Sequence, residues 1–179
     1  MADGSGLLNH DPKRVSWVRI PPLPQWLKFM LNPAANLYMS MAIDQAQLAK
    51  QHGDLPFGAV IVAGDVVVGR GRCLNGTTGD VTEHAEMNAL RQSCRQLNRN
   101  DLNDCTIYCT NEPCPMCAAA IFQAKIPKVV VGLTRADLPL LLRPRKIHLQ
   151  NLADDSGYEI EIQTGVLKAE ILKLFEDIK

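Results

Sequence analysis

The chain has 179 residues, and its 19 Lys plus Arg balance 19 Asp plus Glu, so the formal net charge at pH 7 is zero. This length predicts a single domain with a sizeable core. The composition, with 46% hydrophobic and 21% charged residues, is typical of a globular protein. The balanced charge argues against a nucleic-acid partner. No apolar run approaches the roughly 20 residues that span a bilayer, which argues against a membrane protein.

The six cysteines are scattered through a chain of middle size that has no secretory signal. Cysteines in such a chain are more often metal ligands than disulfide partners, because disulfide frameworks belong mainly to small secreted domains. We therefore expect a reducing compartment, the cytoplasm.

Residues 1–36 differ in composition from the rest of the chain. Both tryptophans and five of the eleven prolines lie there, and the hydrophobic residues follow no sustained period. This predicts an N-terminal extension outside the fold, with the domain spanning residues 37–179. Two alternatives remain open: a targeting peptide, or translation that begins at Met30, Met39 or Met41.

The first elements of the domain follow from hydrophobic spacing. Apolar residues recur at helical intervals over residues 37–51 and predict a helix. Two β-branched runs, 59–62 and 66–68, flank Gly64 and predict a hairpin of antiparallel strands. A second helix is predicted from Thr82 to about residue 97.

The start of this second helix decides where His84 lies. Asp80 and Thr82 are both suitable N-cap residues, and Glu83 could complete a capping box with Asp80. Either cap puts His84 in or near the first turn. Glu86 follows two residues later, so the two side chains can face one site only at a helix end.

The next stretch predicts a strand, a helix and a second strand. Residues 106–110 form the first strand, the turn Pro-Cys-Pro-Met-Cys at 113–117 opens a helix to about Lys125, and residues 129–131 form the second strand. The second strand is wholly apolar, which is typical of a strand buried on both faces of a parallel region. The three elements together predict a βαβ unit.

The last third of the chain is less regular. Residues 133–152 have no readable pattern, and the basic run 143–146 is predicted to be a surface loop, with a contact to a substrate phosphate as the alternative. Residues 158–162 alternate as a half-exposed strand, and residues 167–178 have helical spacing.

A metal site is predicted at the two helix starts. Cys114 and Cys117 are three residues apart at a helix N-terminus, so both sulfurs can reach one tetrahedral zinc ion, and His84 supplies a third ligand. Three protein ligands leave one zinc position open for water, as in catalytic sites. The alternatives are a redox pair or a structural zinc site with a fourth cysteine; the candidates for that ligand are Cys73, Cys105 and Cys109.

Glu86 is the candidate catalytic residue. Zinc lowers the pKa of bound water to about 7, and a nearby carboxylate can take a proton from that water and return it to a leaving group. This chemistry suits attack on an sp² carbon that bears an exocyclic amine, with loss of ammonia.

At this point the chain resembles the cytidine-deaminase-like superfamily, within it the branch of nucleobase and tRNA-adenosine deaminases. The similarity is carried by His84-Ala85-Glu86 followed by the Pro-Cys-x-x-Cys run, which is the signature of zinc-dependent base deaminases, and by the block 56–60. The resemblance implies an α/β fold, three-layer α/β/α with a five-stranded mixed sheet. It also implies bound Zn²⁺ and a homodimer.

The resemblance also implies a set of substrate contacts. The enzymes of this branch usually carry an asparagine after the second strand, and alignment without gaps puts Cys73 at that position, with Asn75 two residues later. The ending Phe-Glu-Asp at 175–177 is similar to fungal cytosine deaminases, where an acidic residue near the C-terminus reaches the base. The implied substrate-binding residues are Phe57, Ala59, Cys73, Asn75, Ala85 and Asp177.

The function that this resemblance favours is hydrolytic deamination of a free nucleobase, with a cytosine-like or isocytosine-like base slightly preferred to guanine. The block Pro56-Phe57-Gly58 is similar to bacterial guanine deaminases. Two alternatives are a tRNA adenosine deaminase and a catalytically silent, zinc-stabilised module that acts in assembly.

Overall fold

The computed structural model describes residues 33–139 and 141–178. The strands are β1 (Gly58–Ala63), β2 (Val66–Arg72), β3 (Cys105–Asn111), β4 (Lys128–Leu133) and β5 (Glu161–Thr164). The α-helices are α1 (Pro33–Gln51), α2 (Asn75–Thr78), α3 (Ala85–Leu97), α4 (Pro115–Gln123), α5 (Leu149–Ser156) and α6 (Lys168–Leu172). Short 3-10 helices lie at Arg135–Asp137 and Lys173–Phe175.

The five strands form one sheet in the order β2-β1-β3-β4-β5. β1 pairs antiparallel with β2 and β3, whereas β3, β4 and β5 run parallel. The sheet is therefore mixed, as expected, and α4 is the crossover of the predicted βαβ unit. Gly64 has a φ of 59° in the turn of the β1–β2 hairpin, a conformation that glycine adopts without steric cost.

Helices cover both faces of the sheet. Alternate residues of β1 point to opposite sides, so Ala59 and Ile61 belong to one core cluster, while Val60 and Val62 belong to the other. The first cluster includes buried residues of α3, α4 and α5, and the second includes those of α1 and α6. This arrangement confirms the three-layer α/β/α architecture.

Gly71 on β2 lets the start of α3 pack tightly against the sheet. A Cβ atom built at this position would lie 2.0 Å from the Ala85 carbonyl oxygen and 2.4 Å from the Ala89 nitrogen. No side chain fits in that space. The close approach fixes the first turn of α3 relative to β2, and with it the segment that carries His84 and Glu86.

Helices α1 and α5 differ from the sequence-based predictions. α1 begins at Pro33 rather than at residue 37, and Ala35 in its first turn is buried. Residues 1–32 lie outside the described residues, so the extension predicted over 1–36 stays a prediction. α5 falls in the stretch that has no readable pattern, and it ends at Gly157 with a φ of 74°.

The C-terminal elements are shifted and shorter than predicted. β5 begins at Glu161, three residues after the predicted start, where its backbone pairs with β4. The predicted helix over 167–178 is confined to α6 and the 3-10 turn after it, because Leu167 has a φ of 51° and cannot lie inside a helix. Among the described residues, no helix is both long and apolar enough to span a membrane.

Candidate active site

His84 occupies the N-cap position of α3. Its backbone is extended, with φ −79° and ψ 156°, and its side chain makes no capping hydrogen bond. The prediction that Asp80 or Thr82 caps this helix is wrong. Instead, Asp80 Oδ1 accepts hydrogen bonds from the backbone N–H of Thr82 at 2.7 Å and from its hydroxyl at 2.8 Å, which closes a turn before the helix. The imidazole is therefore available as a ligand.

Cys114 occupies the same position at the start of α4. Its backbone is also extended, with φ −70° and ψ 165°, and Pro115 follows at the first helical residue, where no helical hydrogen bond is lost. Cys117 lies in the first turn of α4 and is buried. The first turn of this helix therefore brings the two sulfurs to one side, as the spacing predicts.

The three ligand atoms form a compact triangle. His84 Nδ1 lies 3.6 Å from Cys114 Sγ and 3.6 Å from Cys117 Sγ, and the two sulfurs are 3.5 Å apart. Ligand atoms of a tetrahedral zinc ion with bonds of about 2.0–2.3 Å are separated by about 3.3–3.8 Å, so this triangle fits zinc.

Only three protein ligands come together at this position in the described part of the chain. Cys73, Cys105 and Cys109, the candidates for a fourth ligand, do not join the group. A zinc site with three protein ligands has one position left for water or substrate, which is the arrangement of catalytic sites rather than structural ones.

The site favours thiolate. The hydrogen bond from Cys117 lowers the pKa of Cys114 to about 3, and pairing with this thiolate raises the pKa of Cys117. The hydrogen bond to Cys114 also raises the pKa of His84. The negative charge on Cys114 makes the group complementary to a cation, and metal binding displaces the protons that remain.

Glu86 lies next to the ligand group. It is the second residue of α3 and only 8% exposed, and burial raises the pKa of its carboxyl group. It lines a cavity of about 180 Å³ together with His84 and Cys114. A buried carboxyl group with a raised pKa is suited to both accept and donate a proton near neutral pH.

Four of the six predicted substrate-binding residues line this cavity: Phe57, Cys73, Asn75 and Ala85. Ala59 does not, because its side chain packs in the core cluster under α3. Asp177 is not among the lining residues either. Its side chain is 71% exposed and forms an ion pair with Lys50 near the end of α1.

Cys73 and Asn75 contact each other. The Cys73 thiol donates to Asn75 Oδ1 at 3.0 Å, and burial raises the pKa of that thiol. The turn that carries Asn75 is held by Asp54, whose Oδ1 accepts hydrogen bonds from the backbone N–H groups of Gly76 at 2.7 Å and Thr77 at 3.0 Å. Asp54 therefore positions one wall of the cavity.

Sequence reasoning missed several lining residues. Asn111 and Glu112 line the cavity and directly precede the Pro-Cys-x-x-Cys run. Their place next to this motif is the only sequence feature that could have identified them as lining residues. Arg135 and Leu142 come from the stretch that has no readable pattern. Arg145 belongs to the basic run predicted to be a surface loop; it is exposed and also lines the cavity.

In this three-layer domain with a five-stranded mixed sheet, two helix starts converge on one His/Cys/Cys group. This is the architecture of zinc-dependent deaminases. A family model for the cytidine and deoxycytidylate deaminase zinc-binding region matches residues 33–133. The chain belongs to this family, and its cofactor is zinc.

The relatives act on different substrates. The chain is 35% identical over 179 residues to a tRNA(Ile)-lysidine synthase of Deinococcus radiodurans, covering 96% of this chain and 30% of that protein. It is 45% identical over 75 residues to a guanine deaminase of Bacillus subtilis, covering 42% of this chain and 47% of that protein. The matched parts therefore span less than half the length of either relative.

A solved structure from a study of A-to-I editing by tRNA:A34 deaminases at the wobble position has a TM-score of 0.68. Its sequence is 26% identical, and the match covers 77% of this chain and 98% of that chain. Nucleobase and tRNA-adenosine deaminases are thus both relatives of this chain.

Proposed function

We propose that this protein catalyses the hydrolytic deamination of a free nucleobase and releases ammonia. The observation that carries this proposal is the buried carboxyl group of Glu86 beside His84, Cys114 and Cys117 at one small cavity. Zinc in such a site acts as a Lewis acid that makes a water molecule nucleophilic at neutral pH.

Glu86 is the proposed acid and base of the reaction. Its carboxylate accepts a proton from the attacking water as oxygen adds to the ring carbon that carries the amine. The same group delivers that proton to the ring nitrogen. It then takes a second proton from the added hydroxyl group as the carbonyl forms and delivers it to the amine, so that ammonia leaves as the C–N bond breaks.

The size of the cavity supports a small substrate. Its volume of about 180 Å³ is below the roughly 300–1,000 Å³ of sites for drug-sized ligands, so a single base fits the space better than a larger molecule. Phe57 gives the cavity an aromatic wall, while Cys73, Asn75 and Ala85 complete the proposed base subsite.

The test is ammonia release by zinc-loaded protein with cytosine, isocytosine, guanine, adenine and cytidine. Turnover of a free base supports the proposal, and we expect a cytosine-like base to be preferred to guanine. If none of the five compounds is converted while zinc is bound at one ion per chain, the free-base proposal is wrong.

A tRNA adenosine is the second candidate substrate, favoured by two arginines. Arg135 and Arg145 both line the cavity, and neither forms an ion pair with a described residue. Such cations could contact a phosphate of RNA. Inosine formation in an anticodon stem-loop, with binding that weakens steeply with salt, would favour this substrate over a free base.

We further propose a homodimer in the cytoplasm. A cavity of about 400 Å³ lies between α3 and α4, and its apolar lining residues include Met87, Leu90 and Ala120, which supports an interface with a second copy. None of the six cysteines forms a disulfide in the described residues, which supports a reducing compartment. Sedimentation of the zinc-loaded protein tests the dimer.

Residues 1–32 are proposed to lie outside the deaminase domain, whereas residues 33–36, which the sequence placed in the extension, belong to α1, where Ala35 is buried. The alignment with the Deinococcus protein covers 96% of this chain and so includes most of this segment, which argues against an artefact of translation start. Removal of residues 1–32, which leaves α1 intact, should preserve zinc binding and turnover. Loss of either would show that the segment belongs to the working domain.

A further inference from the structure

The end of β3 carries a polar side chain whose acceptor is unused. Asn111 is the last residue of this strand and is only 6% exposed. Its Oδ1 atom has no hydrogen-bond partner within residues 33–139 and 141–178. Buried polar atoms in folded proteins are nearly always paired, because an unpaired one retains the full cost of leaving water.

Asn111 lines the same cavity as Glu86. Its neighbour Glu112 is already committed to the protein. Both oxygens of Glu112 accept backbone hydrogen bonds, from Arg135 at 2.8 Å and from Leu149 at 3.0 Å. The carboxamide of Asn111 is thus a polar group of the cavity wall whose acceptor the protein leaves without a donor.

A second asparagine of the cavity lining shows the opposite situation. The carboxamide oxygen of Asn75 is occupied by the Cys73 thiol, and a thiol is only a weak hydrogen-bond donor and acceptor. The acceptor of Asn75 is therefore not free for a polar ring edge, whereas no group of the described residues occupies that of Asn111. A carboxamide presents one acceptor and one donor side by side, which complements a ring edge that presents an N–H group beside a carbonyl oxygen or an unprotonated nitrogen.

We infer that Asn111 is a substrate-recognition residue whose carboxamide turns when the nucleobase binds, so that Oδ1, which is buried and unpaired in the described part of this structure, accepts a hydrogen bond from an N–H group of the base. This inference rests on the proposed function and names the chemistry by which the site reads its substrate. A site that hydrogen-bonds a polar group of its ligand discriminates strongly, because a ligand without that group leaves the protein atom unpaired.

A purely structural role for Asn111 makes a different prediction. If its side chain held the strand end in place, removal of the carboxamide would lower the melting temperature. Because no described residue donates to Oδ1, the similar-sized substitution Asn111→Leu removes an unpaired polar atom instead. We expect a melting temperature equal to or above that of the parent protein.

The experiment measures binding without turnover. Zinc-loaded Glu86→Gln protein is titrated calorimetrically with cytosine, isocytosine, guanine and adenine, and the double variant Glu86→Gln/Asn111→Leu is titrated in the same way. We expect Kd for the base that binds to rise by about tenfold or more in the double variant, as for the loss of one buried hydrogen bond. Zinc content should not change. Asn103→Leu, at an exposed asparagine, is the matched control and should leave Kd unchanged.

Two results would overturn the inference while the proposed function stands. One is an unchanged Kd in the double variant; the other is a loss of affinity accompanied by loss of zinc and a lower melting temperature, which would make Asn111 structural. If the wild-type protein converts none of the bases and the Glu86→Gln protein binds none, the proposed function itself fails, and the inference fails with it.

Discussion

The carboxylate of Glu112 accepts a hydrogen bond from the backbone N–H of Leu149 at 3.0 Å and thereby joins the end of β3 to the first turn of α5. Its second oxygen accepts a hydrogen bond from the backbone N–H of Arg135 at 2.8 Å. One side chain thus connects three segments around the cavity. Two of these segments come from the part of the chain in which the sequence has no readable pattern.

Glu112→Gln should loosen this side of the cavity. The amide keeps one acceptor oxygen but turns its NH₂ group toward a backbone N–H, so one buried hydrogen bond is lost at a cost of about 1–3 kcal/mol. We expect a lower free energy of unfolding in urea and a higher KM with zinc retained. Glu170→Gln, at an exposed position of α6, is the control and should change neither. Unchanged stability of Glu112→Gln would contradict the bridging role.

Glu86→Gln should separate catalysis from folding. The amide cannot accept the proton of the attacking water, and general acid–base catalysis commonly contributes about 10²–10⁴-fold, so turnover should fall by at least about a hundredfold. Zinc content and melting temperature should stay close to those of the wild type. Ammonia release and metal analysis on the same sample check both parts. A variant unchanged in every assay would favour the silent module instead.

Cys114→Ser should remove most of the zinc. The serine hydroxyl is not ionised at neutral pH and is a poor ligand, so a group of three protein ligands is reduced to two. Cys73→Ser is the matched control, because Cys73 lines the same cavity but lies outside the ligand group. It should keep a full complement of zinc. Loss of zinc in Cys73→Ser would make Cys73 a fourth ligand and the site structural.

Asp54 should make stability depend on acid pH. Burial raises the pKa of its carboxyl group, but the hydrogen bonds from Thr77 and Gly76 outweigh this effect and lower the pKa below the ordinary value. A lowered pKa in the folded state contributes stability above the unfolded-state pKa of about 3.9, and this stability is lost as the pH falls through the folded-state pKa.

The corresponding variant is Asp54→Asn. It should be less stable than the wild type in urea at pH 7, by about 1.5–3 kcal/mol for a hydrogen-bonded charged group. This difference should shrink as the pH falls from about 4 through the lowered folded-state pKa, because the unfolded chain then binds a proton that the folded wild-type protein does not. A difference that stays constant between pH 7 and pH 3 would contradict a lowered pKa for Asp54.

The sequence predicts those parts of the fold that follow from local periodicity. The β1 run of four apolar residues and the apolar run 129–131 of β4 are buried on both faces, and both faces of the sheet carry helices. The ligand residues were also predictable, because His84, Cys114 and Cys117 form a motif with fixed spacing.

Other features depend on contacts between distant segments. α5 has only eight residues, and its buried positions, Leu149 and Ala153, give too short a pattern to identify a helix after the irregular stretch. Asp177 was chosen from a three-residue similarity, whereas its place in the structure follows from the ion pair with Lys50. The unpaired oxygen of Asn111 exists only because the surrounding segments fold around it.

His84 and Cys114 are both N-cap residues, and neither side chain caps its own helix. The first N–H groups of α3 and α4 therefore receive no side-chain capping bond at these two positions. A metal ion that fixes both side chains ties the two helix starts to each other. Withdrawal of zinc by a chelator should accelerate amide hydrogen exchange in the first turns of α3 and α4 together, while the central strands remain protected. Exchange at these two turns would then report metal occupancy without any substrate.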